Sequence, residues 1–332
     1  MRREDLSRSE AHHLLDALLS GEATDGQIAA TLIALKLKGE TVEELAGLAE
    51  GMRARATRIQ SRHERFIDTA GTGSSSAKCF NVSTAAAFVI AGAGLPVAKH
   101  GNRAASSKCG SADVLSALGV NVSVAPEVSG RCLNELGICF MFAPLYHGAT
   151  ARVAGIRRQL GVQTTFNLLG PLTNPAGAPR QIIGVSQRKF VEPMARALSL
   201  LGTERAWVVH GEDGLDEITV SGRTFVAEAL GGEIRTLELV PEDFNIERGS
   251  LEGLAGNSSS ENAATIRDIL SGKRRDAARS VVLLNAAAAL HIGGPASNLS
   301  DGMRSAEESI DSGRASEMLH KLIEITNVTD QS

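Results

Sequence analysis

The chain has 332 residues, 43% of them apolar and 22% charged, with a formal net charge of −4. That composition suits a soluble globular protein with a sizeable core in one or two domains. Aromatic residues make up only 3%, with one Trp and one Tyr, which argues against a base-stacking platform, and the net charge excludes a global basic field for nucleic acid or anionic lipid.

Residues 1 to about 60 read as helices only. Ser7 with Glu10 and Thr41 with Glu44 fit the capping box, a hydroxyl at the N-cap and a carboxylate three residues on. Leu14, Leu15, Leu18 and Leu19 recur at helical spacing, as do Ile28, Leu32 and Leu35, with Ala29 more loosely. Leu45, Leu48 and Met52 stripe a third helix, and Gly21 and Gly39 stop the first two. These apolar faces serve a core or an oligomer contact; no chemistry is expected here.

The pattern changes near Arg62 to Arg65. Strands are predicted at Phe66 to Thr69, Pro96 to Lys99, Asn121 to Val124, Ile138 to Phe142, Gln181 to Val185, Ala206 to His210 and Thr224 to Ala227. Helices are predicted between them at Ser83 to Ala93, Ser111 to Leu118, Pro126 to Leu136 and Lys189 to Leu201. This alternation implies an α/β fold with a largely parallel sheet flanked by helices, whose ligands bind at the carboxyl ends of strands. Thr164 to Ala178, rich in Gly, Pro and Asn, breaks the alternation as a loop with a short helix, and residues 230 to 260 are less regular. Ser258 with Glu261 caps a helix through Leu270, and Ala277 to Leu290 and Ala315 to Ile325 read as closing helices.

Phe66 to Leu118 holds the residue types that wrap a phosphorylated small molecule. Gly71-Thr72-Gly73 lacks the third glycine of a dinucleotide fingerprint and is followed by no GK[ST], so alone it serves a structural turn as well as a ligand. The helix start at Asn81, Ser83 and Thr84 directs free N–H groups and hydroxyls toward it. Lys99-His100-Gly101-Asn102-Arg103 is either a solvated basic turn or a loop whose cations meet phosphate while His100 and Asn102 face an acceptor. Asp213-Gly214-Leu215-Asp216-Glu217 is either a solvated acidic loop or a Mg²⁺ site. Arg157 and Arg158 offer a carboxylate fork or a surface ion pair.

The cysteines at 79, 109, 132 and 139 form no CxxC, and no His cluster has zinc spacing, so no structural zinc is expected. Reduced thiols and a cytoplasmic location are expected, with no secretory signal and no membrane span. No Cys–His–acid arrangement marks Cys79 or Cys109 as a nucleophile.

The segments DTAGTG, NVSTAAA, PVAKHGNRAASSKCGSADVLSALG, FNLLGPLTNPAGA, DGLDEI and LNAAAAL occur in order over almost the whole chain. In these the chain resembles the anthranilate phosphoribosyltransferase family of tryptophan biosynthesis. The resemblance implies a small helical domain, residues 1–62 joined by a central helical segment near 164–178, and a larger α/β domain, 63–332. It implies a homodimer through the helical domains and two Mg²⁺ ions. The implied reaction joins anthranilate to phosphoribosyl pyrophosphate, giving N-(5-phosphoribosyl)anthranilate and pyrophosphate without a covalent nucleophile. Gly71, Thr72, Gly73, Ser74, Ser75, Asn81, Ser83, Thr84, Lys99, Ser107, Lys108, Cys109 and Gly110 would then bind phosphoribosyl pyrophosphate. His100, Asn102, His147, Arg157 and Pro171 would line the anthranilate path, with Arg157 on its carboxylate. Ser83, Asp216 and Glu217 would hold metal.

One position departs from the pattern. The family usually reads GTGGD, and this chain reads Gly71-Thr72-Gly73-Ser74-Ser75, so Ser75 stands where an aspartate is expected. Altered Mg²⁺ dependence is expected there rather than lost activity. A pyrimidine nucleoside phosphorylase shares the implied architecture, but KHGNR and GPLTNP oppose that reading. A non-catalytic nucleic-acid-binding relative is opposed by the charge, the few aromatics and the retained Asp216-Glu217 pair.

Overall fold

The computed structural model describes residues 4–73, 75, 77, 79–104 and 109–328. The chain opens with helices α1 (Arg8–Leu19), α2 (Asp25–Lys38) and α3 (Val42–Arg55). Two of the three capping boxes expected from sequence cap α1 and α3, and an unexpected one, Thr24 with Gln27, caps α2.

The α/β part follows: β1 (Ile67–Gly71), α4 (Val82–Gly92), β2 (Val97–Gly101), α5 (Ser111–Leu118), α6 (Pro126–Leu136) and β3 (Ile138–Phe142). A helical stretch comes next, α7 (Ala143–Tyr146), α8 (Ala151–Leu160) and α9 (Phe166–Leu172). Then come β4 (Arg180–Gly184), α10 (Val191–Leu200), β5 (Arg205–Gly211), β6 (Thr224–Leu230) and β7 (Glu233–Leu239). Four helices close the chain: α11 (Ser259–Leu270), α12 (Ala277–Gly293), α13 (Leu299–Asp311) and α14 (Arg314–Asn327).

The strands form one seven-stranded sheet in the order β3-β2-β1-β4-β5-β6-β7. The first five are parallel, and β6 and β7 return antiparallel. Strand side chains alternate between faces. Ile182, Trp207 and Val209 join the larger core with α4 and α12, whereas Ile183, Ala206 and Val208 join a second core with α1 to α3 and α8 to α10. Helices α8 and α9 pack back on the N-terminal helices: Val153, Ile156, Leu168 and Leu169 share the second core with Leu32, Leu45 and Leu48.

Two sequence expectations fail here. Asn121 to Val124 is not a strand. Asn121 Oδ1 accepts the Ser123 N–H at 3.1 Å, a local turn that competes with pairing, while Val120 and Val122 are buried by packing alone. The irregular stretch expected after residue 230 instead begins with strand β7. Gly231 and Gly232, both at positive φ, make the two-residue hairpin turn that pairs Leu230 with Glu233.

Candidate active site

The sheet's connections reverse between β1 and β4, and a cavity of about 390 Å³ opens at the carboxyl ends of these strands and of β2. β1 runs directly into the glycine turn. The Thr72 N–H donates to the Gly184 carbonyl at 2.9 Å, and Thr72 Oγ1 accepts the Ser186 N–H at 3.1 Å. β4 must end in glycine: a Cβ on Gly184 would lie 1.6 Å from the Asp216 carbonyl. The close approach seats the acidic turn after β5 against the glycine turn after β1.

The acidic turn carries Asp216 and Glu217 into the cavity. Glu217 Oε1 accepts the backbone N–H of Ser83, in the first turn of α4, at 3.0 Å. Burial raises the pKa of both carboxyls, and Asp216 raises that of Glu217 further. Lys99 on β2 is also buried; its ammonium donates to the Thr69 carbonyl and lies 3.3 Å from Ser83 Oγ. Burial lowers the Lys99 pKa, against the pull of Asp68 and Glu217. Asp68, wholly buried on β1, accepts the His100 N–H at 3.1 Å and is pushed up to about 6 by burial. Buried Asp68 and half-buried Glu217 thus act on one buried ammonium, with half-buried Asp216 beside Glu217; a divalent cation would favour the charged form of the Asp216–Glu217 pair.

The metal-site residues fit Mg²⁺ in a particular way. Among the described residues no three His, Cys, Asp or Glu side chains gather as a protein-only metal cage. Two carboxylates with a nearby hydroxyl suit an ion that keeps waters and takes its other oxygens from a phosphorylated substrate.

Asn81, Ser83 and Thr84 all line the cavity with Gly71, Thr72, Gly73 and Ser75. The Thr84 hydroxyl is buried with no hydrogen-bond partner among the described residues. Asn81 has a second job: its Nδ2 donates to the Cys109 carbonyl at 3.2 Å and its Oδ1 accepts from Asn262 Nδ2 at 3.1 Å. Its side chain is a strut between α4, the end of the second loop and α11. Cys109 and Gly110 also line the cavity; Ser74, Ser107 and Lys108 lie outside the described residues. Asp113 Oδ2 clasps that second loop by accepting the N–H groups of Ala104 at 3.0 Å and Gly110 at 2.9 Å. Asp113 Oδ1 holds Arg103 at 2.9 Å, so Arg103, a phosphate contact in the sequence reading, is paired to a carboxylate. Ser75 donates its hydroxyl to the Gly214 carbonyl and also hydrogen-bonds Asp216.

The opposite wall comes from β2 and the helical stretch. His100, Asn102, Arg157 and Pro171 line the cavity, while His147 lies one layer further in, its ring centroid 5.2 Å from that of His100. Burial first, and then His147, pushes His100 down to about 3, so its ring is neutral. Arg157 Nη2 donates to Asn167 Oδ1 at 2.9 Å, and its guanidinium lies 5.5 Å from the Phe166 ring centroid. Its Nε is buried without a partner, and no carboxylate pairs with it among the described residues. Burial lowers its pKa. Arg158, one residue on, is exposed.

Sequence reasoning missed Asn257 and Asn262, which line the cavity from the segment before α11 and from α11 itself. Asn262 Oδ1 accepts the Asn257 N–H at 3.0 Å. The Ser258–Glu261 capping box was the available signal, because it starts a helix whose first turn carries Asn262.

Two family models match in tandem. The helical bundle domain of a glycosyl transferase family matches residues 1–56, and the a/b domain of the same family matches residues 63–316. The anthranilate phosphoribosyltransferase of Desulfosudis oleivorans is 53% identical over 324 residues, covering 98% of this chain and 96% of the relative. The crystal structure of anthranilate phosphoribosyltransferase from Thermus thermophilus superposes with a TM-score of 0.93 at 41% identity, covering 98% of this chain and 97% of that one. The Saccharomyces cerevisiae enzyme in complex with PRPP and Mg superposes with a TM-score of 0.90 at 29% identity, covering 98% and 94%. Fold, cavity and similarity over nearly the full length agree: this chain belongs to the anthranilate phosphoribosyltransferase family.

Proposed function

We propose that this chain transfers the phosphoribosyl group of phosphoribosyl pyrophosphate to the amine of anthranilate, releasing pyrophosphate, in tryptophan biosynthesis. The observation that carries this reading is Arg157. A half-buried guanidinium with no carboxylate partner among the described residues faces the same cavity as a glycine turn and a helix N-terminus suited to phosphates. A small aromatic acid with a free amine satisfies the arginine through its carboxylate, and the phosphate cradle holds the other substrate.

The turn Gly71 to Gly73, with Ser83 and Thr84, holds the pyrophosphate end, and Cys109 and Gly110 present backbone to the ribose phosphate. Lys99 supplies fixed positive charge beneath the floor. Asp216 and Glu217, with Ser83, would hold Mg²⁺, two ions in all, which when bound neutralise charge on the departing pyrophosphate. Arg157, His100, Asn102 and Pro171 hold the amine against the anomeric carbon, with His147 supporting His100. The amine nitrogen forms the new C–N bond as the bond to pyrophosphate oxygen breaks, and the resulting ammonium gives up one proton to the solvent. No side-chain nucleophile is required, and neutral His100 can accept a hydrogen bond from the amine. Positioning of the two reactants and charge stabilisation are the protein's contribution.

Residues 1–62 with the segment near 164–178 act as a helical unit against the α/β unit, 63–332. The shared core of α1 to α3 with α8 and α9 supports this. The chain works as a homodimer through its helical unit in the cytoplasm. Among the described residues, no helix is long and apolar enough to cross a membrane. Pyrophosphate release in the presence of both substrates tests the reaction. Phosphorolysis of a pyrimidine nucleoside without such release would overturn it.

A further inference from the structure

We infer that Asn285, in the middle of α12, is a positioning residue for the Asp216–Glu217 carboxylate pair; the inference rests on the metal-holding role proposed above for that pair. Asn285 belongs to the LNAAAAL segment and is 3% exposed. It is the lone polar side chain in the run Val281 to Leu290. Its amide is fully engaged. Oδ1 accepts the Ile218 N–H at 3.0 Å, and Nδ2 donates to the Ile218 carbonyl at 3.0 Å and to the Val281 carbonyl at 2.8 Å.

Ile218 follows Glu217 directly, is 1% exposed and lies outside any helix or strand. No sheet ladder or helical turn satisfies its two backbone groups, so the Asn285 amide does, in the manner of a paired strand. A leucine at this site would suit the surrounding apolar helix but would leave both groups buried and unpaired. The polar residue is therefore explained by the turn, not by the helix.

The other side of the turn is braced from within. Asp213 accepts the Leu215 N–H at 3.0 Å and the hydroxyls of Thr219 and Ser221. Those bonds shape the turn but do not attach it to anything rigid. Asn285 attaches it to a helix of 17 residues that packs on α4. α4 also carries Ser83, whose N–H the Glu217 carboxylate accepts. The helix pair thus acts with the Gly184 contact in setting where Glu217 stands relative to the cradle. A site held on rigid elements keeps its geometry better than one held by a loop alone.

The test uses Asn285→Ala and Asn285→Asp in the full chain. Amide hydrogen exchange is read without ligands, and Mg²⁺ dependence is read with phosphoribosyl pyrophosphate. In Asn285→Ala, exchange at 213–221 rises by about tenfold or more while the strands keep their protection. The Mg²⁺ half-saturation rises about tenfold, kcat falls, and the anthranilate KM stays within about twofold. Asn285→Asp keeps the acceptor but loses the donor and sets an oxygen against the Ile218 and Val281 carbonyls, so local exchange and Mg²⁺ half-saturation rise as in alanine. Unchanged exchange at 213–221 overturns the inference. So does a rise spread evenly over the whole chain, or an anthranilate KM that moves with no change in Mg²⁺ dependence. If the alanine variant does not fold, the aspartate variant decides by the same local rise. If the native chain fails to use anthranilate, the proposed function falls, and exchange with Mg²⁺ binding still judges Asn285.

Discussion

Glu217 Oε1 and the Ser83 backbone N–H meet at 3.0 Å across 134 residues of chain. The bond joins the acidic turn after β5 to the first turn of α4, so the acidic and the hydroxyl-lined parts of the cavity are one unit. Half-buried carboxyls, a buried lysine and a helix N-terminus are held together before any ligand arrives, the preorganisation that charge stabilisation needs.

Arg157 has the simplest expected signature. In the proposed role Arg157 forks one substrate only, so Arg157→Ala would remove that fork, and hydrogen bonds to charged groups contribute about 1.5–3 kcal/mol. The anthranilate KM should rise by about 10- to 100-fold while the KM for phosphoribosyl pyrophosphate stays put. Initial rates with each substrate varied in turn check this; a shift confined to phosphoribosyl pyrophosphate would remove Arg157 from the acceptor site.

Neutralising the carboxylate pair should separate activity from stability. Asp216→Asn with Glu217→Gln should lower kcat by about a hundredfold or more, because the leaving group loses its charge partner. Both carboxyls have pKa values raised by burial. A raised carboxyl favours folding below its unfolded pKa, and that benefit disappears as pH rises through the folded pKa. At neutral pH and above the pair therefore weakens the folded chain, and the amide variant should melt higher than native without Mg²⁺. Calorimetry at pH 8 checks this, and a lower melting temperature would contradict it.

Ser75 sits where a family aspartate is expected. Its hydroxyl donates to the Gly214 carbonyl and touches Asp216. Ser75→Asp would set a carboxylate against both, a repulsion that bound cation relieves. The variant should need more Mg²⁺ for thermal protection and shift the Mg²⁺ optimum of the reaction. Superimposable titration curves would show that position 75 does not sense the metal.

His100 should shape acid stability. Its folded pKa, about 3, lies below the ordinary histidine value near 6.5. Between those values the unfolded chain binds the proton and the folded chain does not, so stability rises with pH and is lost as pH falls. Asp68, raised to about 6, slopes the opposite way. Comparing His100→Gln with native isolates the histidine: melting temperatures from pH 4 to 7.5 should fall less steeply in the variant. Identical slopes would mean that His100 titrates alike in the folded and unfolded chain, contradicting the depressed value.

Much of this was legible because the chemistry is local in sequence. Hydroxyl–carboxylate spacing marked the caps of α1 and α3, and glycine and hydroxyl residues marked the two cavity loops. Relationships closed by tertiary structure were not legible. Nothing near Asn81 reveals Asn262, which comes from 181 residues away. Arg103 is engaged by Asp113 because α5 folds back on its own loop. His147 takes its place behind His100 through the helical stretch after β3. β7 was missed although its Gly-Gly turn was in view, because charged residues interrupt its apolar alternation.

The most direct test follows anthranilate fluorescence in the purified chain with phosphoribosyl pyrophosphate and Mg²⁺. Fluorescence should decay only when all three are present, with one pyrophosphate released for each anthranilate consumed. Constant fluorescence under those conditions, in a chain shown to be folded, would contradict the proposed reaction.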